Sequence, residues 1–287
     1  MSHKKTKSLT RQIQETLVAK FACGRSKHHD KFKNETFNRI YSGNTLRNYM
    51  KHCNYFTKYC QKHYHCKTLS QCREHVNEFL QSRIDNGYSP FTQKLEASAL
   101  AKLYGCHTSD FIKTQVRHRA DITRSRGIAK RDSHFSEKNN KELVEFCKST
   151  GLRRNELKQI TGDSLYKEKD GNYYINVTKG TKGGKPRTTL IVGDIENAVN
   201  LLKKAGSKRV FNKIPSGADI HGFRGVYART VYKKFARDIK DIPEKEKYRC
   251  RKDLKGVIYD KKAMRITSNN LGHNRISVIA QSYISHS

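Results

Sequence analysis

Residues 173–192 read YYINVTKGTKGGKPRTTLIV and contain the two clearest strand patterns of the chain. The segments 173–178 and 187–192 are rich in β-branched and aromatic residues, and the first alternates as a half-buried strand does. Between them, residues 179–186 combine three glycines, three lysines and one proline, which is typical of a turn. The stretch therefore predicts a β-hairpin that presents lysines at its turn.

Helical patterns lie on both sides of this hairpin. Apolar residues recur at helical spacing over about 136–149, 155–160, 194–205 and 222–238, and a last helix ends at Tyr283. These residues predict a domain, 126–287, whose fold class is mainly α with a small antiparallel β-sheet.

Residues 39–125 predict a second domain that is entirely helical. Its first two predicted helices cover about 45–63 and 68–85. A third helix begins at Ser89-Pro90, and a shorter fourth helix follows Ser109. Residues 117–135 are rich in Arg, Lys, Asp and Ser and have few apolar residues, so we expect a linker there, with the domain boundary near Ser125.

The basic N-terminal segment, residues 1–38, begins with one amphipathic helical pattern. Its apolar positions are Leu9, Ile13, Leu17, Val18 and Phe21. Residues 23–34 are polar and predict a linker. The sequence leaves two alternatives for this segment, a loosely packed solvated tail and an accessory arm that binds DNA.

The charge of the chain points to a polyanion as partner. Lys and Arg number 59 against 26 Asp and Glu, a formal net charge of +33. Nucleic acid neutralises such a charge best, although a ribosome-associated protein or an acidic membrane surface would also explain it. No run of about 18 apolar residues predicts a membrane span, and the N-terminus lacks a signal-peptide core, so we expect a cytoplasmic protein with reduced cysteines.

One cluster contains the residue types that bind zinc. Its members are His52, Cys53, Cys60, His63, His65 and Cys66. However, Cys53 and Cys60 are one heptad apart on the same apolar helical face as Phe56, and no CxxC pair is present. Buried free thiols with solvent-facing histidines are therefore expected, with zinc as the alternative.

Four short boxes occur in order within the domain predicted over 126–287. They are TGLRRNEL at 150–157, KGGKPR at 182–187, HGFR at 221–224, and LGH at 271–273 followed by Tyr283. Each box alone is common, but together they resemble the tyrosine recombinases, the family of phage integrases and Xer resolvases. The resemblance covers about 40–287 and implies a helical SAM-like DNA-binding domain and a catalytic domain that together clamp duplex DNA.

The resemblance also implies a role for each matching residue. Tyr283 would be the nucleophile that forms a 3′-phosphotyrosine link, and Arg153 and Arg224 would clamp the scissile phosphate, because guanidinium groups bind it with two hydrogen bonds and stay charged. Lys182 would protonate the leaving 5′ oxygen, with Lys179 and Lys185 as rivals. His221 and His273 would assist by proton exchange or hydrogen bonding, and Glu156 would be structural. No metal or other cofactor is implied.

The resemblance further implies a site-specific recombinase of a mobile genetic element, such as a phage or conjugative transposon. It would act on the nucleoid as a homotetramer on two double-stranded DNA sites, with a host DNA-bending factor as a further candidate partner. Two rival functions remain: a catalytically inactive DNA-binding accessory factor and an enzyme similar to type IB topoisomerases. An RNA-binding protein would explain the charge but none of the boxes.

Three features depart from the family pattern. Residues 239–262 make the interval before the last box longer, and either a solvated loop or an extra contact to DNA or a protomer is expected there. His273 and Tyr283 are ten residues apart instead of the usual nine, so a change of helix phase or a bulge must absorb one residue. Only residues 284–287 follow Tyr283 in this sequence, so we expect protomers to dock through another segment or through a tail that comes before Tyr283.

Overall fold

Contacts within the chain divide it into two units, Met1–Thr123 and Arg124–Ser287. A computed structural model describes residues 7–118, 121 and 135–284. The predicted linker, 117–135, and the predicted boundary near Ser125 lie almost wholly outside the described residues, so the domain limits stay a prediction. Each unit contains its own hydrophobic core.

The described residues of the first unit form helices joined by short turns. The helices are α1 (Leu9–Ala19), α2 (Lys27–Phe32), α3 (Gly43–Tyr64), α4 (Leu69–Arg73), α5 (Val76–Asp85) and α6 (Pro90–Tyr104). The predicted start of α6 is confirmed, because the Ser89 side chain accepts a hydrogen bond from the backbone N–H of Thr92 and Pro90 occupies the first turn. Gly105 ends this helix with a φ of 65°.

Two helical predictions in this unit are wrong in detail. The single helix expected over 68–85 is divided between α4 and α5, because the N–H of His75 bonds the carbonyl of Cys72, three residues back, and tightens the turn. The helix expected after Ser109 is only the 3₁₀ turn Thr108–Asp110.

The described part of the N-terminal segment belongs to the helical core. Leu9, Ile13 and Leu17 are fully buried, and α1 packs against α3. A loosely packed tail is therefore wrong for these residues, because the apolar face of α1 is buried against the core. The expected linker, 23–34, contains α2, whose buried Asp30 accepts hydrogen bonds from Arg39 and Tyr41 at 2.9 Å.

The expected burial of the cysteines in α3 is confirmed. Cys53 and Cys60 are fully buried and free. His63 and His65 are exposed, but His52 is not, since its Nδ1 lies 3.2 Å from a carboxylate oxygen of buried Glu96. Within the described residues, no three His, Cys, Asp or Glu side chains are grouped to hold a metal ion.

The second unit combines helices with two small sheets. Its elements are α7 (Lys141–Thr150), α8 (Arg154–Leu157), β1 (Leu165–Lys167), β2 (Tyr173–Val177), β3 (Arg187–Leu190), α9 (Ile195–Ala205), α10 (Ile220–Phe235), β4 (Lys247–Arg249), β5 (Ile258–Asp260), α11 (Lys261–Asn270) and α12 (Ser277–Ile279). The predicted hairpin is confirmed as β2 and β3, antiparallel with Val177 opposite Arg187, and β1 adds an edge strand. The predicted fold class, mainly α with small antiparallel sheets, is confirmed. In the described part of the chain, no helix is long and apolar enough to cross a membrane.

The segment 239–262 contains the second sheet, the antiparallel pair β4 and β5. Asp260, at its base, is fully buried and accepts hydrogen bonds at 2.8 Å from Nε and Nη2 of Arg237. These bonds outweigh burial and hold the pKa of Asp260 well below its usual value. A solvated loop is therefore wrong for the strands, while a contact to DNA or to a protomer stays a prediction.

Gly151, in the first box, is required by packing. It ends α7 with a φ of 60°, and a Cβ at this position would lie 2.3 Å from Cδ1 of Tyr227. Tyr227 cannot move away, because its ring is fully buried and its hydroxyl bonds the Leu190 carbonyl and Thr189 at 2.8 Å. The close approach of Gly151 to α10 thus fixes the backbone directly before Arg153.

Replacing Gly151 by alanine is expected to destabilise the chain by about 2–5 kcal/mol, because a left-handed backbone and an overlap with a buried ring both oppose the methyl group. Urea unfolding of the full chain measures the effect. Gly171→Ala is the matched control, since Gly171 has a φ of 81° but no atom within 4 Å of its would-be Cβ. We expect the control to cost about 1 kcal/mol. Equal effects would show that the Tyr227 contact is unimportant.

Candidate active site

The predicted site residues come from five separate places in the second unit. Arg153 precedes α8, His221 and Arg224 lie in the first turns of α10, and His273 follows α11. The remaining two are Tyr283, in a last turn of π-helix at Ala280–Ile284, and Lys182, in the turn between β2 and β3.

Tyr283 is buried, and its hydroxyl meets one histidine directly. The distance from Tyr283 Oη to Nε2 of His273 is 3.2 Å, and only 4% of the residue is exposed. The His221 ring meets the Tyr283 ring edge-on, with 5.4 Å between centroids. Arg229 donates to the Tyr283 carbonyl at 3.3 Å, which ties the last turn to α10. The tyrosine therefore has a fixed position among the predicted residues.

The π-helical turn explains the long interval between His273 and Tyr283. A π-helical turn holds one residue more than an α-helical turn, so it absorbs an inserted residue without shifting what precedes it. The turn at Ala280–Ile284 includes Tyr283 itself. The expected bulge is thus present, and it leaves the tyrosine hydroxyl beside His273.

Arg153 is held by backbone carbonyls and one carboxylate. Its Nη1 donates to Glu156 Oε1 at 2.8 Å, and its Nη2 donates to the carbonyls of Leu271 and Gly272 at 2.8 and 3.2 Å. The backbone N–H of Arg153 donates to Glu156 Oε2 at 2.7 Å. Its side chain keeps 21% exposure, so part of the guanidinium stays accessible.

Arg224 lies deeper than Arg153. Only 3% of the residue is exposed, its Nη1 donates to the Gly151 carbonyl, and its Nη2 donates to the Leu271 carbonyl at 3.1 Å. The guanidinium carbon lies 5.9 Å from the centre of the Tyr283 ring. Arg153 and Arg224 therefore share the Leu271 carbonyl in the last box.

Lys182 differs from the other predicted residues. It is exposed on a 3₁₀ turn, whereas the others are partly or wholly buried or lie beside Tyr283. Its charge nevertheless reaches His273, whose pKa it helps to lower. Lys179 lines a separate polar cavity of about 300 Å³ with Gln159 and Asp163.

Sequence comparison assigns the first unit. The family model described as phage integrase, N-terminal SAM-like domain, matches residues 29–109. These residues are similar to that domain. No curated protein sequence matches the chain.

One solved structure extends the likeness in fold beyond the first unit. The XerH site-specific recombinase bound to a palindromic difH substrate, in a post-cleavage complex, has a TM-score of 0.50 at 16% identity, and the match covers 98% of this chain and 95% of that one. The Tn1549 transposon integrase in complex with circular intermediate DNA has a TM-score of 0.47 at 11% identity, covering 98% and 96%. The predicted resemblance to tyrosine recombinases is confirmed by the SAM-like domain and the shared XerH fold.

The electrostatics of the site favour a bound anion. Two arginines, Arg153 and Arg187, pair with a single buried carboxylate, Glu156, and a third, Arg224, shares carbonyl acceptors with them. Burial opposes ionisation of Glu156, but the charges and hydrogen bonds of Arg187 and Arg153 outweigh it and hold its pKa below 4.5. The cluster therefore keeps an excess of positive charge in a poorly solvated place, which an anionic phosphate would neutralise.

Residue His273 is neutral at physiological pH. Burial, and after it the positive charges of Arg224, Arg153, Arg187 and Lys182, together lower its pKa to about 4. The neutral ring can present an unprotonated Nε2 to the tyrosine hydroxyl when Nδ1 carries the proton.

The titration of His273 can be measured in the DNA-free chain. We expect an NMR midpoint near pH 4, with the resonance assigned by its absence in His273→Gln. The pKa of His273 in the folded chain lies below its ordinary value of 6.5. The contribution of the neutral ring to the free energy of unfolding is therefore fully present above pH 6.5 and is lost as pH falls toward 4. The unfolding free energy of His273→Gln should accordingly depend less on pH in this window. A midpoint at pH 6 or above would contradict the described burial.

Arg187 is the functional candidate that sequence reasoning missed. It lies at the end of the KGGKPR box, opposite Val177 in the sheet, and reads as an ordinary strand residue. Its side chain is only 6% exposed and pairs with Glu156 at 2.7 Å. The position of this arginine after a turn rich in glycine and lysine could have indicated a role. Its partner Glu156, however, lies far away in the sequence.

Proposed function

We propose that the chain is a site-specific DNA recombinase that cuts and rejoins DNA through a 3′-phosphotyrosine link to Tyr283. The observation that carries the proposal is the placement of the buried Tyr283 hydroxyl 3.2 Å from His273, beside the guanidinium of Arg224. A tyrosine, a neutral histidine and fixed guanidinium groups are the chemistry that metal-free attack on a phosphodiester requires.

In the cleavage step, Tyr283 Oη attacks the scissile phosphorus, forming the Tyr–O–P bond as the bond from phosphorus to the 5′ oxygen breaks. The hydroxyl proton passes to Nε2 of His273, which is free to accept it because the ring is neutral. The 5′ oxygen leaves with a proton from Lys182. Rejoining reverses these transfers with the 5′ hydroxyl of another strand as nucleophile, so no outside energy source is needed.

Arg153 and Arg224 stabilise the transition state of this step. The negative charge on the non-bridging oxygens grows more concentrated as phosphorus becomes five-coordinate, and two guanidinium groups in fixed positions offset it. Both groups are already held by the Leu271 carbonyl, so little reorganisation is required at the moment of reaction. His221, edge-on to the Tyr283 ring, hydrogen-bonds the phosphate.

The partner is double-stranded DNA that carries specific recombination sites. A net charge of +33 supplies the phosphate neutralisation, and XerH, whose fold is shared, was solved bound to its DNA substrate. In this proposal four protomers join two sites, a host DNA-bending factor assists, and the chain acts on the bacterial nucleoid for a mobile genetic element.

A covalent trapping assay tests the proposal. The full chain is incubated with a nicked half-site in which the short 5′-hydroxyl fragment diffuses away after cleavage, so that the adduct accumulates. We expect a DNA-linked tryptic peptide whose modified residue is Tyr283 by mass spectrometry. Absence of any adduct on cognate sites would favour the inactive accessory factor, and relaxation of plasmids without sites would favour the topoisomerase-like enzyme.

A further inference from the structure

The side chain of Arg187 is directed into the protein by several acceptors. Nη2 donates to Glu156 Oε2 at 2.7 Å and to the Gly151 carbonyl at 3.5 Å, and Nε donates to Glu156 Oε1 at 3.5 Å. Nη1 donates to the Asn270 carbonyl. At least four of its five N–H bonds are thus committed to protein acceptors. Such an arginine is poorly placed to bind a phosphate itself.

The same acceptors hold the two proposed clamp arginines. Each pair of guanidinium groups shares one acceptor, so that the three form a closed ring. The pairs are Arg153 with Arg187 through Glu156, Arg187 with Arg224 through Gly151, and Arg153 with Arg224 through Leu271. Moving one arginine therefore releases an acceptor of each of the other two.

The last box also rests on Arg187. A Cβ on Gly272, whose φ is 66°, would lie 2.4 Å from Cδ of Arg187 and 3.1 Å from its Nε. Only a glycine permits this approach, and the turn that carries His273 is built directly on the arginine stem. Arg187 is thus in contact with residues that bond or adjoin three of the proposed catalytic residues, Arg153, Arg224 and His273.

We propose that Arg187 is a positioning residue: without touching DNA, it fixes Glu156 and the Gly151 carbonyl where they orient Arg153 and Arg224 toward the scissile phosphate. This role rests on the proposed function. Lysine cannot replace it, because a single ammonium lacks the planar fork that bonds the carboxylate and the carbonyls together. With lysine at position 187, the hydrogen bonds of the Glu156 carboxylate to Arg153 and to residue 187 would change.

Arg187→Lys and Arg187→Met test this role, with exposed Arg209→Met as the matched control for loss of one surface charge. At saturating DNA, adduct formation should fall by about 10²-fold in Arg187→Lys and about 10³-fold in Arg187→Met. DNA affinity should change by less than about threefold, as in the control, since Arg187 makes no phosphate contact. A larger loss of affinity in Arg187→Lys than in the control would overturn the role.

A neutral substrate separates positioning from general damage. When a methyl group replaces one non-bridging oxygen of the scissile phosphate, there is less charge for the clamp to offset. The Arg187→Met defect should then shrink to within about tenfold of wild type. A defect of equal size on both substrates would indicate a smaller folded fraction and overturn the role. If Arg187→Met does not fold, Arg187→Lys, which keeps the buried charge, decides.

A measurement without DNA keeps the two proposals apart. In ¹⁵N-labelled chain, the Nε–H signals of Arg153 and Arg224 should shift and exchange faster with water in Arg187→Lys than in wild type. Unchanged signals would overturn the positioning role, whether or not the chain cleaves DNA. If these signals change while wild type forms no adduct on cognate DNA, the proposed function fails and the arginine ring stands.

Discussion

Replacing Tyr283 by phenylalanine is expected to abolish the covalent protein–DNA adduct while DNA binding stays within about twofold of wild type. The substitution removes one oxygen, the atom proposed to attack phosphorus, and leaves the ring that packs against His221 and Arg224. Loss of a nucleophile lowers the rate by at least about 10⁴-fold, because no neighbouring group holds the same position. The half-site trapping assay measures adduct formation, and a filter or gel-shift titration measures binding.

The fold of the variant should be preserved. The Tyr283 hydroxyl makes a hydrogen bond of 3.2 Å with His273, whose loss costs about 1 kcal/mol. Tyr166→Phe is the matched control, since its hydroxyl also makes one long bond, 3.3 Å to Thr188, but lies on the outer strand β1. We expect full adduct formation in the control. An adduct that persists in Tyr283→Phe would show that another residue is the nucleophile.

The elements that the sequence predicted best are those with strong local signals. Ser89-Pro90 and Gly105 mark both ends of α6, and the lysine-rich turn separates β2 from β3. The break between α4 and α5 and the short pair of β4 and β5 carry no such signal. Three-residue strands are too short to establish a period of two, and the β4–β5 pair is held by the contact of Asp260 with Arg237, which no local pattern reveals.

The same distinction applies to the candidate site, where residues in short motifs could be predicted and contacts between distant residues could not. Residues within recognisable boxes were named in advance, and the structure brings Arg153, Arg224, His273 and Tyr283 together, with His221 beside the tyrosine ring. Arg187 ends the KGGKPR box but was given no role, because its acceptors on Glu156 and Asn270 lie 31 and 83 residues away. A shared acceptor is a property of three-dimensional packing, so the arginine ring could only be found in the structure.

The three lysines of the β2–β3 turn have different surroundings, and this difference favours one of them as the proposed general acid. Lys182 is close enough to the site for its charge to lower the pKa of His273. Lys179 lines the cavity near Gln159, and a Cβ on neighbouring Gly180 would collide with the Asn155 carbonyl at 2.4 Å, which pins that end of the turn against the start of α8. Lys185 is exposed beyond the 3₁₀ turn.

We therefore expect Lys182→Met to lower cleavage of an ordinary phosphodiester by about 10²–10⁴-fold, the usual contribution of a positioned acid. Lys179→Met and Lys185→Met are matched controls that remove the same charge from the same turn, and they should lower it by less than about tenfold. Replacing the 5′ bridging oxygen by sulfur gives a leaving thiolate that needs no proton, so the Lys182→Met defect should nearly vanish on that substrate. A large defect rescued by sulfur in Lys179→Met or Lys185→Met would move the acid to that residue, and a Lys182→Met defect without rescue would assign Lys182 to charge stabilisation.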